Sequence, residues 1–300
     1  MADRQRVTVL WIVLLLLFFG GGLYVSARLL TGGGVAFLEG RKIAILPLEG
    51  VLVNERSFLS HLDRFRRNGS VRGFVVEIRS PGGTVGAAQS LYRTLRTLRE
   101  EDDRPIIAWI GDVGASGGYY VALAADSIFA LPGSITGSIG VIMEFPNAQE
   151  LLRKVGVGVD VVKSGEHKDM GSPAHPLTDK DREILERVVG DVYEQFVDVV
   201  VANRQVPRDS VLRLADGRIF SGERASELGL IDGIGTLDEA VAVAGRMAGL
   251  GDRPATVRPG ERRLSLLDLV RGIPEGDLRG LAGVVRGMTG AGPRLLYEWR

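Results

Sequence analysis

The chain has 300 residues, 45% of them hydrophobic and 25% charged, a balance ordinary for globular protein and long enough for a sizeable core. Its 37 basic and 37 acidic side chains leave a formal net charge of zero, which argues against nucleic acid or any strongly anionic partner. There is no cysteine, which excludes disulfides, a thiolate nucleophile and thiolate metal sites, and the only histidines are His61, His167 and His175.

Residues 1–6 form a short polar start, read as cytoplasmic, and residues 7–27 carry no charge at all. A helix of that length spans roughly 30 Å, the thickness of a hydrocarbon core. Trp11 and Tyr24 stand near its two ends, where interfacial anchors belong. A cleaved signal peptide is the competing reading, kept open by Gly20-Gly21-Gly22 and the small pair Ser26-Ala27. The expectation is an uncleaved, single-pass anchor in the cell membrane, with the body of the chain outside the cytoplasm. Residues 28–41, with Gly32-Gly33-Gly34, then make a flexible tether.

From residue 42 short apolar runs alternate with helical periodicity. The pattern predicts strands over 43–48, 73–78, 106–110, 127–131, 139–143 and 159–162. It predicts helices over 85–99, 115–125, 148–155, 179–203, 210–215, 223–228 and 237–248. Fully apolar strands interleaved with amphipathic helices predict an α/β fold with mostly parallel pairing and flanking helices, in one domain over 42–250. Residues 251–300 are rich in Gly and Arg, with weakly amphipathic stretches at 264–271 and 278–288, and read as a tail against the body, a membrane surface or a partner.

Three segments carry candidate chemistry. In residues 111–126, an apolar strand runs through Gly114-Ala115-Ser116-Gly117-Gly118 into a helix of small and apolar residues. Such a turn exposes one side chain where unpaired backbone N–H groups favour developing negative charge. A lone turn of this kind is equally well a tight turn with a capping serine. Residues 79–95 repeat the strand, glycine turn and helix, and Gly82-Gly83 can aim backbone N–H groups outward as an oxyanion hole needs. Residues 161–176 offer Lys163, His167, Lys168 and His175 as bases, or simply a solvated loop. If 161–176 is extended, alternation points His167 and Lys168 to opposite sides, so at most one of them faces the serine. No nucleotide-binding glycine spacing occurs.

Together these segments resemble the signal peptide peptidase A family, serine proteases on a fold shared with Clp protease and crotonase. The resemblance spans about 42–245 and rests on SPGG (80–83), ASGGYY (115–120), TGSIGVI (136–142), KSGEHKD with the following GSP (163–173) and ADGRIFSG (215–222). It implies Ser116 as nucleophile, Lys168 as general base, Ser138 as the residue orienting the lysine amine, and Gly83 and Gly117 as oxyanion-hole donors. It further implies no cofactor and no metal, a homo-oligomer with active sites near subunit interfaces, and peptide substrates from the membrane, chiefly released signal peptides. The alternatives are a Ser–His–Asp arrangement with His167 or His175, an acyl-CoA enzyme of crotonase type, a protease for one particular membrane protein, and a non-catalytic membrane scaffold.

Overall fold

The computed structural model describes residues 40–260 and 295–298. The expected anchor over 7–27, nearly all of the tether and both amphipathic stretches of the tail lie outside the described residues. Among the described residues no helix is long and apolar enough to cross a membrane.

The body opens with β1 (Lys42–Glu49), α1 (Arg56–Arg66), β2 (Val71–Ser80), the short β3 (Gly82–Thr84) and α2 (Val85–Glu101). Next come β4 (Ile106–Ala115), α3 (Gly117–Ala122), β5 (Ser127–Ala130), β6 (Ile135–Gly137), β7 (Ile142–Met143) and α4 (Gln149–Lys154). It continues through α5 (Asp179–Asn203), α6 (Arg208–Leu214), β8 (Ile219–Ser221), α7 (Gly222–Glu227), β9 (Gly233–Ile234), α8 (Leu237–Met247) and β10 (Ala255–Val257). The last described element is β11 (Leu295–Glu298). Eight strands form one sheet, in the order β10-β1-β2-β4-β5-β9, all parallel, with β6 parallel to β4 and β8 antiparallel to β6. A second, antiparallel sheet has the order β3-β11-β7.

The central strands are mostly apolar because both sheet faces are covered. In β1, Ala44, Leu46 and Leu48 enter one cluster with Phe58, Leu62 and Phe65 of α1, Leu91, Leu95 and Leu98 of α2, and Phe196, Val197 and Val200 of α5. Ile43 and Ile45 enter the opposite cluster with Val75, Ile107 and Trp109, closed by Ala240, Val241 and Ala244 of α8. Phe74 on β2 is wholly buried, so truncating it to alanine costs about 3–5 kcal/mol. Helix starts are set locally: Thr178 accepts from the Asp181 amide while Asp181 accepts from the Thr178 amide, and Thr236 and Glu239 do the same for α8.

Four departures from the predicted elements have physical causes. The helix expected over 115–125 is shorter, because β4 continues through Ala115 where it pairs with Gly137. Of the strand expected over 139–143 only Ile142–Met143 (β7) forms; 139–141 are irregular and follow a left-handed bend at Gly137 (φ 77°) and Ser138 (φ 52°) that ends β6. Residues 159–162 are not a strand: the chain there is irregular and exposed, and it pairs with no strand among the described residues. Helix α1 was not predicted, although Phe58, Leu62 and Phe65 give it an apolar face at helical spacing.

Candidate active site

The site lies where β4 outruns its neighbours. On one side, Ser80 of β2 pairs with Gly114; on the other, Thr136 and Gly137 of β6 pair with Gly114 and Ala115. Ser116 follows at once, at φ 52° and ψ −116°, a conformation that costs an L residue about 1–3 kcal/mol and persists only when its surroundings impose it. Those surroundings are visible. The Ser116 amide donates to the Gly137 carbonyl at 2.8 Å, and the next residue on that strand, Ser138, donates its own amide to the Arg218 carbonyl at 2.8 Å. Thr136 Oγ1 donates to the Gly114 carbonyl at 2.8 Å, clamping β6 to β4. Among the described residues Ser116 and Ser138 are the only non-glycine positions with positive φ, and both are buried, at 1% and 7% exposure.

Close approach explains the glycines. A Cβ on Gly118 would lie 2.6 Å from the Ser80 carbonyl oxygen, so α3 packs on the end of β2 only without a side chain there. A Cβ on Gly83 would lie 2.3 Å from the Leu52 carbonyl oxygen. Leu52 donates to the Gly82 carbonyl and accepts from the Thr84 amide, both at 2.7 Å. Alternation along an extended strand then turns the N–H and C=O of Gly83 to the other edge. Gly117 is the first residue of α3, where the amide has no intrahelical acceptor. Ser116, Ser138, Gly83 and Gly117 therefore stand at the converging ends of β4, β6, β3 and α3.

Lys168 stands apart. It lies in a run of turns over 164–171, exposed, and its amine bonds to nothing among the described residues. Because this segment is turns and not extended, the alternation argument separating His167 from Lys168 does not hold; their bonds separate them instead. His167 Nδ1 lies 2.7 Å from Asp181 Oδ1, so the ring is committed to the start of α5. The His167 contact, followed by the bond from Thr178, holds the Asp181 carboxyl down at about 2. Lys163 Nζ donates to Asp169 Oδ1 at 2.7 Å, and His175 Nε2 lies 3.2 Å from Asp169 Oδ2. Asp169 is held below the usual carboxylate range, first by the Lys163 bond, and the Pro176 carbonyl and Asp169 raise His175 against the effect of burial. Neither histidine bonds to Ser116 among the described residues. At the base of this arm a Cβ on Gly171 (φ 80°) would meet the Phe145 ring at 2.4 Å. Its upper part carries Leu151, Val155, Val157, Val159, Val161 and Val162 to solvent, the last fully exposed at 103%. No group of three His, Cys, Asp or Glu that could hold a metal occurs among the described residues.

Two features were not read from the sequence. Asp181 sits inside an ordinary helix-capping pattern, which gives no hint of its histidine partner. Strand β11 lies in what reads as a tail, and no local pattern marks its place between β3 and β7.

A mostly parallel α/β sheet with a strained serine at a strand-to-helix turn is compatible with many activities, and comparison with known proteins narrows this to a serine-type peptidase. The model described as peptidase family S49 matches residues 99–251. A Methanocaldococcus jannaschii protein provisionally named a protease is 32% identical, over 93% of this chain and 96% of its own length. An Enterococcus faecium protein provisionally named signal peptide peptidase SppA is 35% identical, over 67% of this chain and 62% of its own. The chloroplastic serine protease SPPA of Arabidopsis thaliana is 30% identical, over 84% of this chain but 37% of its own. The chain belongs to peptidase family S49, the signal peptide peptidase A family of serine proteases on the Clp-protease-like fold.

Proposed function

We propose that the chain is a membrane-anchored serine endopeptidase in which Ser116 of one copy is paired with Lys168 of a neighbouring copy. The observation that carries this reading is the contrast within the site. Ser116 is buried on a strained turn beside Gly83 and Gly117, whereas Lys168 rides on an exposed segment and its amine has no partner among the described residues. A solvated lysine amine titrates near 10.4 and cannot act as a base at neutral pH; only burial, which penalises the ammonium, makes it one. The valine-rich stretch over 155–162 supplies an apolar surface whose burial against a second copy would carry the lysine out of water.

The steps follow from that arrangement. The neutral amine takes the Ser116 proton as Oγ attacks a peptide carbonyl, with Ser138 orienting the amine and the Gly83 and Gly117 amides receiving the oxyanion. Collapse expels the leaving amine, which takes the proton back from the ammonium, and water then hydrolyses the acyl-enzyme by the same route. The uncharged run over 7–27 supports an anchor that holds the body against the outer face of the cell membrane. Peptides left in or released from that membrane, signal peptides above all, are then the substrates within reach.

Mixing Ser116→Ala chains with Lys168→Ala chains tests the pairing. Each alone should be inactive, and a random one-to-one assembly with head-to-tail interfaces should recover about a quarter of the sites. Hydrolysis that survives either single substitution would remove that residue from the mechanism, and mixtures that stay inactive would place the dyad within one chain.

A further inference from the structure

Strand β11 lies directly against the strand that carries Gly83. It pairs antiparallel with β3, Leu296 opposite Thr84, Tyr297 opposite Gly83 and Glu298 opposite Gly82. On its other edge Leu295 pairs with Met143 and Leu296 with Ile142 of β7. Among the described residues β3 and β7 are joined into one sheet only through β11. Taken away, it leaves two open edges about 10 Å apart, the gap that a single extended chain fills at about 4.8 Å from each.

The pairing has a chemical consequence. Leu52 takes up the Gly82 carbonyl and the Thr84 amide, so the Gly83 amide faces β11 and meets Tyr297. That amide cannot serve β11 and the oxyanion of an incoming peptide together. Helix α3, which begins one residue after Ser116, packs against both β3 and β11. Because β3 is Gly-Gly-Thr, this edge offers a backbone ladder and little side-chain surface, which suits an occupant recognised by its extended main chain.

We propose that residues 295–298 are an internal occupant of the peptide-binding slot, a stretch of this chain that binds as a substrate strand would and must leave before another peptide is aligned at Ser116. The identity of the slot rests on the proposed function; its occupancy by β11 does not. The chain thus holds its own competitor, and the fraction of slots open at any moment sets the apparent affinity for peptide.

The test uses three forms of the chain in a Ser116→Ala background, where nothing is turned over: full length, ended at residue 294, and full length with Leu296→Pro. Leu296 has a strand partner on each side, so proline deletes a ladder donor or crowds the neighbouring strand whichever way its nitrogen faces. A fluorescent peptide copying residues 293–300 should bind the shortened and proline forms about tenfold or more tightly than the full chain. Hydrogen exchange at residues 142–143 should speed up in both forms and slow again on peptide addition. Equal peptide binding by all three forms, or unchanged exchange, overturns the proposal. Peptide hydrolysis with Ser116 restored separates the two readings. A shortened form that gains binding but hydrolyses nothing would sink the proposed function and leave the occupied slot standing. Ser116-dependent hydrolysis with the same KM in full and shortened chains would sink the occupied slot alone.

Discussion

The Ser116 side and the Lys168 side of the candidate site are built by opposite means. Around Ser116 the chain is fixed before any substrate arrives: a strained φ, an amide tied to Gly137, and glycines whose missing side chains let β2, β3 and α3 meet. Over 144–178 the backbone is mostly irregular apart from α4, the valines face water, and order comes from carboxylates gripping Lys163, His167 and His175. On the proposed pairing, the first region is complete in one chain and the second is completed by a neighbouring copy. Strain is sustained where the core over-determines the backbone, and the base proposed above stands instead on an exposed segment.

The sharpest way to break this contrast is at Gly83. Gly83→Ala drives a methyl group into the Leu52 backbone and displaces the strand that presents the Gly83 amide. Loss of one oxyanion donor costs about 10²–10³ in kcat, so hydrolysis should nearly vanish while assembly mass stays unchanged. Gly158→Ala on the arm, with nothing within 4 Å of its added Cβ, is the matched control and should leave the fold and thermal midpoint of a single chain as they are. Near-normal kcat in Gly83→Ala would remove Gly83 from the oxyanion hole.

A smaller, concentration-dependent effect is expected from the arm. Val162→Asp places a charge on a side chain that is fully exposed in one chain, so the stability of a lone chain should change by no more than about 0.5 kcal/mol. If the valines are buried against a second copy, that charge loosens assembly, each 1.4 kcal/mol weakening it about tenfold. Activity should then fall on dilution and return at high protein concentration, followed by sedimentation alongside hydrolysis. Unaltered mass and activity across the dilution series would show that the contact lies elsewhere.

The same division governs what the sequence disclosed. The strands at 43–48, 73–78 and 106–110 are legible because burial on both faces makes the runs almost wholly apolar, and the turn glycines are legible because only glycine allows such close approach. The runs at 139–143 and 159–162 misled for one shared reason: β propensity reports a fit to a pleated surface, not the presence of a neighbour. Just before 139 two left-handed residues turn the chain out of β6, and 159–162 meet no strand among the described residues. Strand β11 was illegible because its partners are short and remote in sequence, and pairing of that kind leaves no local periodicity. The Ser116 neighbourhood is written in adjacent residues, whereas the grip of Asp181 on His167 depends on where a turn happens to meet a helix.

That grip gives the smallest and most diagnostic expectation. Asp181 is nearly buried, bonds His167 beside Lys168, and closes the capping box of α5. Its carboxyl is lowered from 3.8 to about 2, so the folded chain holds it ionised more firmly than the unfolded chain does. The stabilisation is therefore complete above 3.8 and disappears as pH falls through about 2, and urea midpoints should decline across that window. Asp181→Asn keeps an acceptor for the Thr178 amide but gives up the charge, so it should lose that acid slope. If the pair also sets where Lys168 sits, kcat should drop about 5- to 10-fold with KM unchanged, well short of the ~100-fold that a 1 Å misplacement can bring. A purely structural role predicts the altered acid titration with kcat intact, and that pairing of results would confine Asp181 to holding the arm on its helix.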